Sequence, residues 1–141
     1  APVDKYTGKR LEDIKLGAQF YGTLDWKKLV KKAEILRMAK VGEEECFVVE
    51  FTPINGSNFT EYYSAKSFLL RKREGVITSS TSAQKTPYTL TFDDYREIDG
   101  IKLPFKTVSY NVGNGNIVTM LKSVKHNVPI DDKLFAPRKL K

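Results

Sequence analysis

The chain has 141 residues, the size of one domain, and at that length roughly two thirds of the unfolded surface can be buried without disulfides or metal. Lys and Arg total 24 against 17 Asp and Glu, a net charge of +7 with the one His neutral. One Cys and one His exclude an internal disulfide framework and a cysteine- or histidine-built metal cluster, and no apolar run approaches the roughly 18 residues of a membrane-spanning helix.

Leu11, Ile14, Ala18 and Tyr21 recur at three- and four-residue spacing, which predicts a helix over 9–23. Gly17 weakens that helix by about 1 kcal/mol relative to Ala, and Gly22 stops it. Trp26, Leu29 and Val30 continue an apolar face for one short turn, with Asp25 as its N-cap.

From residue 33 the period changes to two. Strands are expected at 33–41 and 46–52, joined by the acidic turn Glu43–Glu45 and ended by Pro53. In the second of these, Phe47, Val49 and Phe51 share one face, and Cys46, Val48 and Glu50 the other. After the turn chemistry of Ile54–Asn58, a strand at 59–65 places Glu61 and Tyr63 on one side and Tyr62 on the other. A longer strand follows at 68–79, with Gly75 as a candidate bulge, then a polar loop at 80–86.

Tyr88, Leu90 and Phe92 alternate with Thr89 and Thr91 in a half-buried strand that runs on through Asp93–Arg96. Asp99-Gly100 is a hairpin signal. The return strand spans 101–112 with Leu103, Phe105 and Thr107 on one face; Pro104 marks an edge, a bulge or a strand start. A second turn at 112–116 leads to a last strand at 117–126. There Val118, Met120 and Val124 oppose Ile117, Thr119 and Leu121. Pro129 opens a polar tail in which Phe135 is expected to pack back as an anchor. The fold expected is mainly β: one domain over 1–141, a curved antiparallel sheet of about seven strands forming an open half-barrel, with a short N-terminal helix packed on it.

No catalytic set emerges. Asp93 and Asp94 are adjacent on a strand and diverge to opposite faces. His126 stands alone at the end of the last strand, and Cys46 opens an apolar strand as a buried, inert thiol. The glycine-bearing stretches at 55–58 and 113–116 lack the features of a phosphate loop. The expectation is a protein that is not an enzyme and needs no cofactor or metal. The aromatics fall at alternating strand positions, where packing accounts for them better than nucleic-acid binding does. The positive charge favours anionic partners such as a membrane surface or an acidic protein.

The segment FDDYREIDGIKLPFKTVSY, a glycine-bearing turn, another strand and NVPIDDKLFAP form a motif series. It runs through Asp94-Tyr95-Arg96, Asp99-Gly100, Leu103-Pro104-Phe105, Asn127-Val128-Pro129, Asp131-Asp132 and Phe135-Ala136. Upstream, AEILRMAKVGEEECFVVEFTP and EYYSAKSFLLRKRE extend it. The series resembles the C-terminal half of the bacterial outer-membrane lipoprotein carrier and receptor (lipoprotein localisation factor, Lol-like) fold, over roughly residues 11–137. That resemblance implies an incomplete barrel around a hydrophobic cavity that holds acyl chains in the carriers, in the periplasm or cell envelope.

Complete members carry a longer helix and further strands first. The expectation is therefore half of a longer protein, or a sheet completed by a second copy. The resemblance implies a lipid, an acyl chain or another apolar ligand on the concave face, with Phe47, Val49, Phe51, Tyr63, Leu90, Phe92, Leu103 and Phe105 as the candidate residues. A helix-sealed core is the alternative for the same residues. A homodimer or a larger protein partner, with no ligand at all, is the alternative function.

Overall fold

In the computed structural model the described residues are 6–19, 24–78, 84–112 and 115–135. Two short helices, α1 (Gly8–Gly17) and α2 (Trp26–Leu29), precede seven strands: β1 (Val30–Val41), β2 (Glu44–Pro53), β3 (Phe59–Ser64), β4 (Leu70–Thr78), β5 (Lys85–Ile98), β6 (Ile101–Val112) and β7 (Gly115–Met120). Each strand pairs antiparallel with the next, in the order β1 to β7. The sheet is mainly β in character and not closed, so β1 and β7 are its two edges.

Several boundaries differ from the sequence pattern for local reasons. Helix α1 stops at Gly17, with Ala18 at its C-cap; Tyr21 and Gly22 lie outside the described residues. Asp25 precedes α2 without capping it and pairs instead with Lys28 at 3.0 Å. β1 starts at Val30, three residues early, because Val30 pairs with Pro53 and the Ile54 amide donates to the Leu29 carbonyl at 2.9 Å. β3 ends at Ser64, whose hydroxyl accepts the amides of Lys66 and Ser67 at 3.2 and 2.9 Å and so turns the chain away. β4 begins only at Leu70, since Phe68 takes a left-handed φ of 59°.

Gly75 is not a bulge: it pairs in register with Phe59 and Tyr88. The irregularity falls instead where Tyr62 meets Lys72 and Tyr63 meets Leu70. Lys85 and Thr86 belong to β5 rather than to the expected loop, and residues 80–83 of that loop lie outside the described residues. β7 ends at Met120, six residues short of expectation. The Leu121 amide still reaches the Phe105 carbonyl at 2.9 Å, after which the chain leaves the ladder and Val124 is not on a strand. Phe135 does not pack back. It is 73% exposed, at the end of a single 3-10 turn, Asp132–Phe135.

The hairpin at Asp99-Gly100 forms as expected, both residues having positive φ (51° and 79°), which suits the twist of paired strands. Asp94 also has a left-handed φ, of 52°, and it inverts the alternation of its strand. Phe92 and Tyr95, three residues apart, both face the same cavity, whereas a regular strand would put them on opposite faces.

The best-buried apolar cluster lies on the other face of the sheet. Cys46 (0% exposed), Val48 (1%) and Tyr62 (5%) pack with Ala39 and Val41. Long side chains shelter these smaller ones. The Lys72 ammonium lies 3.9 Å from the centre of the Tyr62 ring and bonds Glu74 at 2.9 Å, while the Tyr62 hydroxyl donates to the same carboxylate at 2.6 Å. Arg71 bridges Glu44 and Asp93 at 2.9 and 2.8 Å.

Helix α1 buries no residue completely and lacks a side-chain N-cap bond. A polar clamp attaches it to the sheet. The Asp13 carboxylate accepts the Ser57 amide at 2.6 Å and the Ser57 hydroxyl at 3.1 Å, and Ser57 is buried. Gly56 makes the approach feasible: its φ is 104°, and a Cβ there would stand 3.0 Å from Asp13 Oδ1. Asp13→Ala should cost about 1–3 kcal/mol, because it strands a buried donor. Ser57→Ala, which keeps the amide bond, should cost less. Urea unfolding of the two variants checks this, and equal midpoints for both would contradict the ranking.

Candidate functional site

Six consecutive strands and α1 line one open cavity of about 1400 Å³. A flat sheet could not bring six strands around one space, so the sheet is curved and this is its concave side. The volume exceeds the roughly 300–1,000 Å³ of most small-molecule sites; the helix therefore does not fill the hollow.

Of the residues singled out from the sequence, Val49, Phe51, Tyr63, Leu90 and Phe92 line this cleft. Phe47 shares their strand face and stacks on Phe68, a lining residue, with ring planes 2° apart and centroids 6.5 Å apart. Leu103 and Phe105 are not among the lining residues. The inversion at Asp94 carries across to β6, where Pro104 and Lys102 line the cleft instead. Phe105 is buried on the other side, under the Arg96 guanidinium at 4.4 Å.

The apolar wall is built by cross-strand stacking. Phe51 and Phe59 are direct partners, and their rings stack at 5.0 Å. Trp26 meets Phe51 edge-on at 6.4 Å. Such pairs are worth about 0.5–1.5 kcal/mol beyond burial. The aromatic and aliphatic cleft residues Val49, Phe51, Phe59, Tyr63, Leu90 and Phe92 remain half-buried rather than buried.

A charged group sits on this wall. Glu61 is 4% exposed and faces the cleft between Phe59 and Tyr63. Its Oε1 accepts Arg73 Nε at 2.7 Å and also Arg73 Nη2, and its Oε2 accepts the Tyr63 hydroxyl. Burial and the Glu61 charge beside it push the Tyr63 phenol well above its ordinary range. Tyr95, whose hydroxyl donates to the Leu70 carbonyl at 2.6 Å, is pushed up to about 12, chiefly by burial. Burial also raises Tyr88, against the opposing pull of Arg73. On the far face, burial and then Glu44 raise the Cys46 thiol, which keeps it protonated and unreactive.

The sequence pattern passed over Trp26, Phe59, Phe68, Arg73 and Tyr88. A signal existed for one part of this set: Glu61 shares a strand face with Tyr63, and a carboxylate on an apolar face asks for a partner. Arg73 as that partner required the pairing of β3 with β4. Among the described residues there is no group of three or more His, Cys, Asp or Glu that could hold a metal, and no helix long and apolar enough to cross a membrane. Asp93 and Asp94 do not converge, since Arg71 holds the first and Arg96 the second. His126 Nδ1 lies 3.0 Å from Asp99 Oδ2 and ties the segment after β7 to the β5–β6 hairpin.

A family model described as "Uncharacterized protein" matches residues 20–141, and the chain belongs to that family. No curated protein matches it. Among solved structures it is similar to a LolA superfamily protein from Nitrosomonas europaea, at a TM-score of 0.47 and 17% identity, with 75% of this chain and 49% of that one covered. The chain thus spans about half the length of that structure.

Phenols raised in the folded state hold their protons more tightly than in the unfolded chain. Their contribution to stability is complete below the ordinary tyrosine value of 10.0 and is lost as pH rises, for Tyr95 through about 12. Stability should therefore fall above pH 10, and the absorbance of ionised tyrosine should lag behind that of the unfolded chain. Coincident titration of folded and unfolded protein would contradict the burial of these rings.

Proposed function

We propose that the protein is a non-catalytic cell-envelope protein that holds a lipid or another apolar ligand in the concave cleft. One observation carries the reading. The large apolar side chains of the concave face stay half-buried around an unfilled hollow, while the tightest packing is on the opposite face. A helix-sealed core would have reversed that distribution. The motif series from Asp94 to Ala136 supports the envelope setting and the carrier-like role.

Trp26, the only tryptophan, borders the cleft and reports on its filling. A ligand selective for the native state stabilises it by about 2.7 kcal/mol at a hundredfold excess over Kd. Delipidated protein should therefore gain several degrees in Tm with long-chain acyl compounds, with a change in Trp26 emission. Phe92→Ser should shrink both effects. No shift with any fatty acid or phospholipid would overturn the reading.

A second reading, association with another copy or a larger protein, is favoured by the sheet edges. β7 is exposed on both faces, with Ile117, Val118 and Met120 each more than half exposed, and it carries no charged residue. β1, by contrast, carries Lys31, Lys32, Arg37 and Lys40 and is interrupted by two register shifts, which are devices that discourage strand addition. If β7 is the contact, sedimentation should show self-association that Val118→Lys abolishes; a monomer at all concentrations would exclude the homodimer.

A further inference from the structure

We propose that the ligand of the cleft is a long-chain carboxylate, a fatty acid, whose head is received by Arg73 and Tyr88. This rests on the reading of the cleft as a ligand site and names the ligand class.

The starting point is the ion pair on the cleft wall. Glu61 is buried while the Arg73 side chain is 36% exposed; taking a carboxylate out of water is costly, and apolar replacements at such sites are often neutral or better. The Glu61–Arg73 pair is set among Phe59, Tyr63 and Leu90, with the Arg73 guanidinium 5.1 Å from the centre of the Phe59 ring. As direct partners across β3 and β4 the two residues help tie the strands together, yet they do so on the cleft-facing side, where the guanidinium stays within reach of a ligand.

The donor count gives it another use. Both oxygens of Glu61 are engaged, Oε1 by Arg73 and Oε2 by Tyr63. A guanidinium has five N–H groups; among the described residues those of Arg73 bond Glu61 through Nε and Nη2, which leaves Nη1 for a further acceptor.

Tyr88 supplies a second donor beside it. Gly75 is its direct strand partner, and a Cβ at 75 would lie 2.8 Å from the Tyr88 hydroxyl oxygen. The missing side chain is what lets the phenol lie across β4. Arg73 and Gly75 share that strand face, so Arg73 and Tyr88 are diagonal neighbours, within reach of one another for long side chains. The Tyr88 hydroxyl makes no hydrogen bond among the described residues, although it lines the cleft.

Charge selects the head group. The cleft is lined by Arg10, Arg73 and Lys102 against Asp13 and Glu61, so 3 − 2 leaves one positive charge. Asp13 is committed to Ser57 and Glu61 to Arg73. One carboxylate balances the surplus, whereas a phosphate monoester of about −1.5 to −2 would exceed it. Val49, Phe51 and Phe92 offer the chain an apolar bed.

The test is a Trp26 fluorescence titration of the delipidated chain with palmitate, methyl palmitate and hexadecyl phosphate. Charge-assisted hydrogen bonds should make palmitate bind about tenfold or more tighter than its ester, and tighter than the phosphate. Tyr88→Phe should lower the palmitate-to-ester ratio. The double variant Glu61→Leu/Arg73→Leu, which leaves no orphaned charge, should bring it to about one; if that variant does not fold by circular dichroism, Tyr88→Phe decides. Equal binding of acid and ester to the native chain would overturn the carboxylate assignment and leave the cleft as an apolar site. Tighter binding of the phosphate, or a ratio unchanged by Tyr88→Phe, would overturn the assignment as well. No binding of any of the three would overturn the ligand reading itself.

Discussion

Ser57 gives both its amide hydrogen and its hydroxyl hydrogen to the Asp13 carboxylate, and this link carries the N-terminal helix. The helix has no fully buried residue of its own. Its ten residues are shorter than the roughly 12–15 at which an isolated helix is even marginal in water. Without the clamp, Arg10 and Leu16 would leave the concave side, and the hollow would become the open face of a curved sheet. The helix is thus held over the cleft more by a polar contact than by a sealed apolar seam. That arrangement leaves the apolar wall beneath it incompletely covered.

The two faces of the sheet solve different problems. On one, small side chains such as Cys46, Val48 and Ser64 disappear beneath Tyr62, Lys72 and the charged neighbours of β4. On the other, bulky rings line a space too large for them to fill. Close packing is the normal state of a protein interior, and voids cost contacts on every lining atom. A concave face that keeps its Phe and Tyr side chains only half-buried therefore forgoes stability that better filling would supply. The same face carries an ion pair where apolar residues would serve stability as well. Both features sit where a ligand would restore the missing contacts.

Much of this was legible from residue order. Strict alternation in Cys46–Thr52 and Tyr88–Phe92 identified strands and assigned Val49, Phe51, Leu90 and Phe92 to one face correctly, because those segments pair without irregularity on that side. The Asp99-Gly100 turn was legible because its backbone requires positive φ. What escaped the pattern depends on pairing. Phe59 and Phe51 are opposed only through the β2–β3 register, Arg73 meets Glu61 only through β3–β4, and Tyr88 finds its place only over Gly75. The misplacement of Leu103 and Phe105 has a different origin: alternation was carried through a residue that breaks it. Phe135, expected to anchor the tail, lies on a turn held by bonds between Asp131, Lys133 and Leu134, so its ring is not needed to fix the backbone.

The residue that breaks the alternation is Asp94. Its single left-handed backbone angle exchanges the inner and outer sides of everything between it and the corresponding stretch of β6, while the pairing skips only Asp94 and Phe105 and resumes in the same register. Two relatives could share this ladder and differ only in whether they make that twist. Their hydropathy profiles would agree up to the equivalent of residue 93 and run in antiphase through the hairpin tip. Substitution patterns there would then resemble drift when they are a change of side. Comparisons within this family gain resolution when the chain is divided at that point and each part is aligned in its own phase.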